Sequence, residues 1–237
     1  MANKREVQKQ VKEQKQRAAQ QKAKTLHILA KVGMFVVAPV LLLFVVYILL
    51  SQGRTYSPVE IAPDDHLRGN PDTPVSIVMY ADFQCPACAT EFQTFARIWP
   101  QIQDRAHLIF RHFPLTSTHP HSWTASLYAE AAGRQDMFWS MHDYLFSNQS
   151  LWSVLPEVEQ EFDSYALQMN LDLDQLHADM ELDEVVQKLR NDQRGGNLAG
   201  VRSTPTLYIN GRMLGQPNAQ RIIQVVEEEF SAASAGE

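Results

Sequence analysis

Cys85-Pro86-Ala87-Cys88 is the stretch on which the reading of the fold turns. It lies between an apolar run (Val75, Ile77, Val78, Met79, Tyr80) and a helix-like segment beginning near Ala87, and it holds the only two cysteines of the 237 residues. A residue type this rare, used as one close pair at a strand-to-helix junction, points to redox chemistry rather than packing. Two cysteines three apart at a helix start can bridge each other, the first at the exposed end and the second one turn in. Unpaired backbone N–H groups and the positive end of the helix dipole favour a thiolate at Cys85. Cys85 is therefore read as nucleophile and leaving group, and the more shielded Cys88 as the resolving thiol. In the oxidising direction a substrate thiolate attacks the Cys85–Cys88 disulfide at Cys85, and a second substrate cysteine then resolves the mixed disulfide, leaving the enzyme as a dithiol.

Two other readings of the pair stand beside this one. A purely structural disulfide closing so short a loop constrains the unfolded chain little. A zinc site needs two further ligands, which would have to come from His112, His119, His121 or His142.

N-terminal to the pair, Gly69-Asn70-Pro71-Asp72-Thr73-Pro74 is a turn-rich entry into the strand beginning at Val75. Residues 51–70, with Gly53, Pro58, Pro63 and Gly69, read as a tether. Before them, Val32 to Leu50 is an uncharged run of mainly Val, Leu, Phe and Ile. As a helix it spans roughly 28 Å, close to a hydrocarbon core, and is read as a single transmembrane helix despite Pro39. The n-region is long and no small-x-small cleavage site follows, so an uncleaved signal-anchor is expected rather than a removed signal peptide. Residues 1–31 carry nine Lys/Arg against Glu6 and Glu13, a net +7, leaving −13 for the rest of a chain whose total is −6. The positive-inside rule then puts this tail in the cytoplasm and the acidic body outside, where disulfide chemistry persists. So acidic a body gives no reason to expect nucleic-acid binding.

C-terminal to the pair, a helix is expected from about Pro86 to Trp99, where Pro100 ends or kinks it. A second strand follows over 107–113. A mostly helical block runs from about His119 to Leu198, with apolar stripes such as Trp123, Leu127, Ala131 and Met137, Met141, Leu145 at helical spacing. Thr206 to Ile209 and Arg212 to Leu214 form a hairpin on Asn210-Gly211, and a last helix begins at Asn218 as N-cap. The order is strand, helix, strand, helical block, hairpin, helix: an α/β thioredoxin-like fold with a helical insertion at about 119–198 inside a domain spanning 71–237.

From Gly69 to Phe230 the chain resembles the DsbA-like thiol–disulfide oxidoreductases, in particular a membrane-anchored bacterial branch. The matching pieces are Gly69-Asn70-Pro71-Asp72, Asp82-Phe83-Gln84-Cys85-Pro86-Ala87-Cys88, Arg111-His112-Phe113-Pro114-Leu115, Phe138 to Asp143, Gly200 to Thr206 and Asn210-Gly211-Arg212. The resemblance implies that Thr204-Pro205 is a cis pair facing the cysteines, with the Thr204 backbone available to an extended substrate. Pro86 and Ala87 form the active-site loop. Two positions depart from the pattern. Many relatives carry a buried acid six residues before the first cysteine, where this chain has Met79, so that Asp82 or water would have to move the proton of Cys88. Relatives with His at the position of Ala87 gain thiolate stabilisation that is missing here, which suggests intermediate oxidising power.

The function expected is a membrane-anchored oxidoreductase outside the cytoplasmic membrane, oxidising cysteine pairs of unfolded exported proteins and recycled by a membrane redox partner. It is read as a monomer with no cofactor beyond the redox-active pair and no bound metal. A reductase or isomerase is the alternative within enzymes. A non-cycling metal-handling or client-binding module is the alternative outside them.

Overall fold

The computed structural model describes residues 15, 17, 20–22, 24, 31, 33–51, 57–215 and 217–235. Most of the basic tail and residues 52–56 of the tether lie outside them. The chain divides into two units, Met1–Gly53 and Arg54–Glu237.

In the first unit Gly33–Val37 winds as a π-helix and runs into α1 (Ala38–Ser51). From Gly33 on, the expected spanning helix over 32–50 is thus two contiguous windings rather than one regular α-helix. Among the described residues no helix is long and apolar enough to cross a membrane.

The second unit is built on a five-stranded sheet of order β1-β3-β2-β4-β5. These strands are β1 (His66–Arg68), β2 (Val75–Ala81), β3 (Ala106–His112), β4 (Thr206–Ile209) and β5 (Arg212–Leu214). β2 and β3 run parallel, joined by α2 (Pro86–Ile102), and every other pairing is antiparallel. Both central strands are buried on two faces, which explains why β2 reads as a nearly continuous apolar run. Alternation still sorts the residues: Val75, Ile77, Met79 and Ala81 join the large core beneath α2, while Val78 and Tyr80 join a smaller one with Ile109, Phe113 and Tyr208.

Between β3 and β4 lie α3 (Ser122–Gly133), α4 (Phe138–Ser147), the single turn α5 (Gln149–Trp152), α6 (Glu159–Gln168), α7 (Leu173–Met180) and α8 (Asp183–Ala199). After β5, α9 (Ala219–Ser234) packs on α2, and the side chain of its N-cap Asn218 accepts from Arg221 N. Asn210 and Gly211 both have positive φ, as a two-residue hairpin turn requires. At Gly196 in α8, a Cβ would stand 2.8 Å from the Phe113 ring and 3.0 Å from that of Tyr80. Glycine at this position lets the helix lie close against the smaller core.

Several expectations need correction. α2 continues through Pro100 to Ile102, because a proline in the last turn gives up one backbone bond while Gln103 N still reaches Trp99 O (2.9 Å). His66–Arg68, assigned above to the tether, is instead an edge strand on β3. Residues 57–65 are also fixed, chiefly by Arg111 on β3. Its guanidinium donates to both Asp65 carboxylate oxygens (3.1 and 2.8 Å), to the carbonyls of Ser57 and Glu60, and to Tyr80 Oη. Lys188 on α8 reaches Asp65 (3.3 Å) and Asp192 (2.8 Å), and Asp192 accepts from His112 N.

The Asp65 side chain is 0% exposed. Burial raises its pKa, but the Arg111 hydrogen bonds and the Lys188 charge outweigh this and hold it below the ordinary value. Its ionised form therefore stabilises the fold above the unfolded carboxylate pKa of about 3.9, and that contribution is lost as pH falls below it. Asp65→Asn leaves two buried cations short of their anion and should cost about 3–5 kcal/mol in urea unfolding at pH 7. The deficit relative to wild type should shrink on acidification.

Candidate functional site

The site is assembled where β2 runs out into α2. Asp82 follows the last residue of β2, and its side chain is wholly buried. Its carboxylate accepts from Gln84 N (2.8 Å) through one oxygen, and from Leu115 N (2.8 Å) and His119 Nδ1 (2.8 Å) through the other. The turn is closed by Cys85 N donating to Asp82 O (3.1 Å). Two glutamines hold the rest of it. Gln84 accepts from His121 N (2.7 Å) and donates to Ser153 O (3.1 Å), while Gln149 donates to Phe83 O (2.7 Å) and Cys85 O (2.9 Å).

Cys85 is the N-cap of α2, in extended conformation (φ −74°, ψ 121°), and Pro86 takes the first turn, where its missing N–H costs nothing. No side chain caps this helix end. Both thiols are free and buried, Cys85 7% and Cys88 1% exposed, whereas Pro86 and Ala87 face solvent. Across from them α8 ends at Gly200 in the left-handed region (φ 96°), and the chain turns through Val201 into Thr204. The Thr204–Pro205 peptide bond is cis. Cys85 Sγ donates to Thr204 O (3.4 Å) and Asp82 N donates to Cys88 Sγ (3.5 Å). Cys85, Cys88 and Thr204 thus meet at one point, with Pro205 half-buried beside them.

The two sulfurs are driven in opposite directions. The Cys85 pKa is lowered to about 5, first by the hydrogen bond from the Cys88 thiol. Burial opposes this, and Thr204 with the backbone N–H groups of Cys88 and Ala87 adds to it. Thr204 Oγ1 is buried and has no partner among the described residues, so it is a group able to donate to the sulfur once that ionises. For Cys88 burial comes first and pushes the thiol up, and the hydrogen bond and charge of Cys85 add to the shift.

The other sequence candidates separate from this centre. Asp82, considered as a proton carrier, has its carboxylate engaged by three donors and acts on Cys88 through its backbone N–H. Met79 lines a cavity of about 220 Å³ under α2 with Phe92, Phe95, Leu108, His142 and Phe146. His112 Nε2 donates to Glu130 (2.7 Å), His121 donates to Leu155 O (2.9 Å) and His142 meets Asp143 (2.7 Å). Among the described residues no three His, Cys, Asp or Glu side chains are grouped to hold a metal. Sequence reasoning gave no role to Gln84, although it stands in the quoted Asp82–Cys88 piece, and missed Gln149, which carries no motif, and Glu91, a carboxylate hidden on the apolar face of α2.

Titration of thiolate absorbance in the reduced protein should give a midpoint near pH 5 for Cys85. Cys88→Ala, which removes the largest source of the shift, should move it upward. An unchanged midpoint would transfer the effect to the helix end alone.

The family model described as thioredoxin matches residues 62–228. The Na+/H+ antiporter NhaA 1 of Salinispora arenicola is 33% identical over 184 residues, 77% of this chain and 27% of its own length. NhaA 3 of Salinispora tropica is 32% identical over 185 residues, 77% of this chain and 28% of its own. The chain thus spans only about a quarter of the curated relatives it matches. Among solved structures, Wolbachia pipientis alpha-DsbA1 superposes with a TM-score of 0.66 at 21% identity, covering 74% of this chain and 96% of that one. Oxidised BdbD from Bacillus subtilis gives 0.66 at 19%, covering 76% and 100%. The chain belongs to the thioredoxin family, and its fold is that of the DsbA-like thiol–disulfide oxidoreductases.

Proposed function

We propose that the Cys85/Cys88 couple of this thiol–disulfide oxidoreductase works in the oxidising direction, outside the cytoplasmic membrane, on cysteine pairs of exported proteins. The observation that carries this reading is the placing of Cys85 at the uncapped N-terminus of α2 beside Cys88 and Thr204, which lowers its pKa to about 5. A stabilised thiolate stabilises the dithiol form, and a couple whose reduced form is favoured has a more oxidising disulfide. It also makes Cys85 the better leaving group when a client's second thiolate resolves the mixed disulfide. Thr204 supports the client side of the reaction. Once a client cysteine occupies Cys85 Sγ, the Thr204 carbonyl loses its donor and is free to accept from an extended client backbone.

The couple needs no cofactor of its own, and a membrane redox partner returns the dithiol to the disulfide. Anchoring is proposed through residues 32–50. There the π-helical segment and α1 run on without a break, and large apolar side chains such as Met34, Phe35, Leu43 and Tyr47 are exposed on all sides. The basic residues before them belong on the cytoplasmic face, and the protein acts as a monomer.

Equilibration with glutathione buffers should place the Cys85/Cys88 couple well above −270 mV, the thioredoxin value. Thiol trapping in intact cells should find the pair oxidised at steady state, and a pair found reduced would reverse the direction. Cys88→Ser, which removes the resolving thiol, should accumulate mixed disulfides through Cys85. A metal-handling module would instead lose metal and trap no client.

A further inference from the structure

We propose that Glu91 is the proton donor and acceptor for Cys88, doing from the face of α2 what an acid on β2 would do from below. The inference rests on the thiol-exchange reading above. Glu91 is only 6% exposed, yet its Oε1 has no hydrogen-bond partner among the described residues. A buried unpaired carboxyl oxygen is costly and calls for a reason. It lies three residues after Cys88, and both belong to the buried face of α2 with Thr94, Phe95, Ile98 and Ile102.

Residues three apart on a helix have Cβ atoms about 5–6 Å from each other. Side chains on a helix also lean toward its N-terminus, the direction in which Cys88 lies from Glu91 on the same buried face. That separation suits proton exchange through one water.

Ionisable groups on the elements packed against α2 are committed elsewhere. On α4, His142 is bonded to Asp143, which also holds Arg68. On α9, Glu227 pairs with Arg105, Glu228 with Arg212 and Arg221, and Glu229 with Asn210. Of the ionisable groups on β2, Tyr80 turns to the opposite face. Burial alone raises the Glu91 pKa, so the acid keeps its proton to higher pH than an exposed glutamate. The ionisable groups sharing its helix end are Cys85 and Cys88.

The step balances as follows. A client thiolate attacks Cys85 Sγ, the Cys85–Cys88 bond breaks, and Cys88 leaves with the electron pair. The Glu91 carboxyl delivers its proton to that sulfur and is reprotonated from water. When the dithiol is reoxidised, Cys85 first forms a mixed disulfide with the membrane redox partner; the Glu91 carboxylate, its proton given up to water, then takes the proton from Cys88 as Cys88 Sγ attacks Cys85 Sγ and the partner's thiolate leaves.

The test follows the reduction of the oxidised full-length protein by dithiothreitol in stopped flow across pH 4 to 9, beside thiolate titration. Glu91→Gln should slow disulfide cleavage roughly 100-fold, the lower end of the usual range for a lost general acid. It should abolish the carboxyl limb of the pH profile and leave the Cys85 midpoint near pH 5. Glu91→Asp should keep that limb, moved to lower pH. A folded Glu91→Gln with wild-type rate and profile overturns the inference, as does a slower variant whose limb is intact. Should Glu91→Gln not fold, Glu91→Asp decides alone: a moved limb supports the role and an unmoved limb overturns it. A wild-type protein that exchanges no disulfide at any pH sinks the oxidoreductase reading instead.

Discussion

The open N-terminus of α2 is the constraint around which the protein is built. Helices ordinarily begin on a Ser, Thr, Asp or Asn whose side chain accepts from the first turn. Here the N-cap is Cys85, and the donors of that turn are left for sulfur. The carboxylate that would have capped a helix elsewhere, Asp82, stands three residues earlier and gathers Gln84 N, Leu115 N and His119 instead. It fixes the approach to the helix without neutralising its positive end. Gln84 and Gln149 complete the task with neutral groups, adding rigidity and no charge that would compete with a thiolate.

That arrangement depends on a scaffold holding two distant segments against it. Gly196 brings α8 onto Phe113 and Tyr80, and Gly200 then turns the chain so that Thr204 O comes to 3.4 Å from Cys85 Sγ. On the same face of the sheet, Arg111, Asp65, Lys188 and Asp192 link residues 57–65, β3 and α8. Buried ion pairs of this kind contribute little net stability, but breaking one is costly, so they fix geometry more than they add free energy. The wall carrying Thr204 inherits that fixity through α8.

What was legible in the sequence was whatever depended on near neighbours. The β2 run, the helix start at Pro86, the Asn210-Gly211 hairpin and the Asn218 cap are local signals, and each of these elements is found where the pattern placed it. The edge strand His66–Arg68 was not legible. Three residues hold no alternation to read, and they are extended only because β3 supplies partners. Residues 57–65 resembled a tether because their anchor, Arg111, lies about fifty positions downstream. The continuous apolar run 32–50 suggested one uninterrupted helix, and composition gave no sign of the π-helical start at Gly33. In the site, the cysteines announced themselves by rarity, whereas Glu91 was masked by the apolar stripe in which it sits.

Met79 brings the two sulfurs into one argument. A carboxylate under α2 would help Cys88 exchange its proton, but as a negative charge in a medium of low dielectric it would also oppose a thiolate at Cys85. A thioether there leaves the cavity beneath the helix apolar and sets no charge against the Cys88 thiol, Thr204 and the backbone N–H groups, which together draw Cys85 down to about 5 against the effect of burial. The same change leaves Cys88, which burial holds protonated, with no carrier on that side. Proton traffic must then use another face of the helix. In the proposal above, the buried carboxyl one turn further on, whose pKa burial raises, is the group that meets that need.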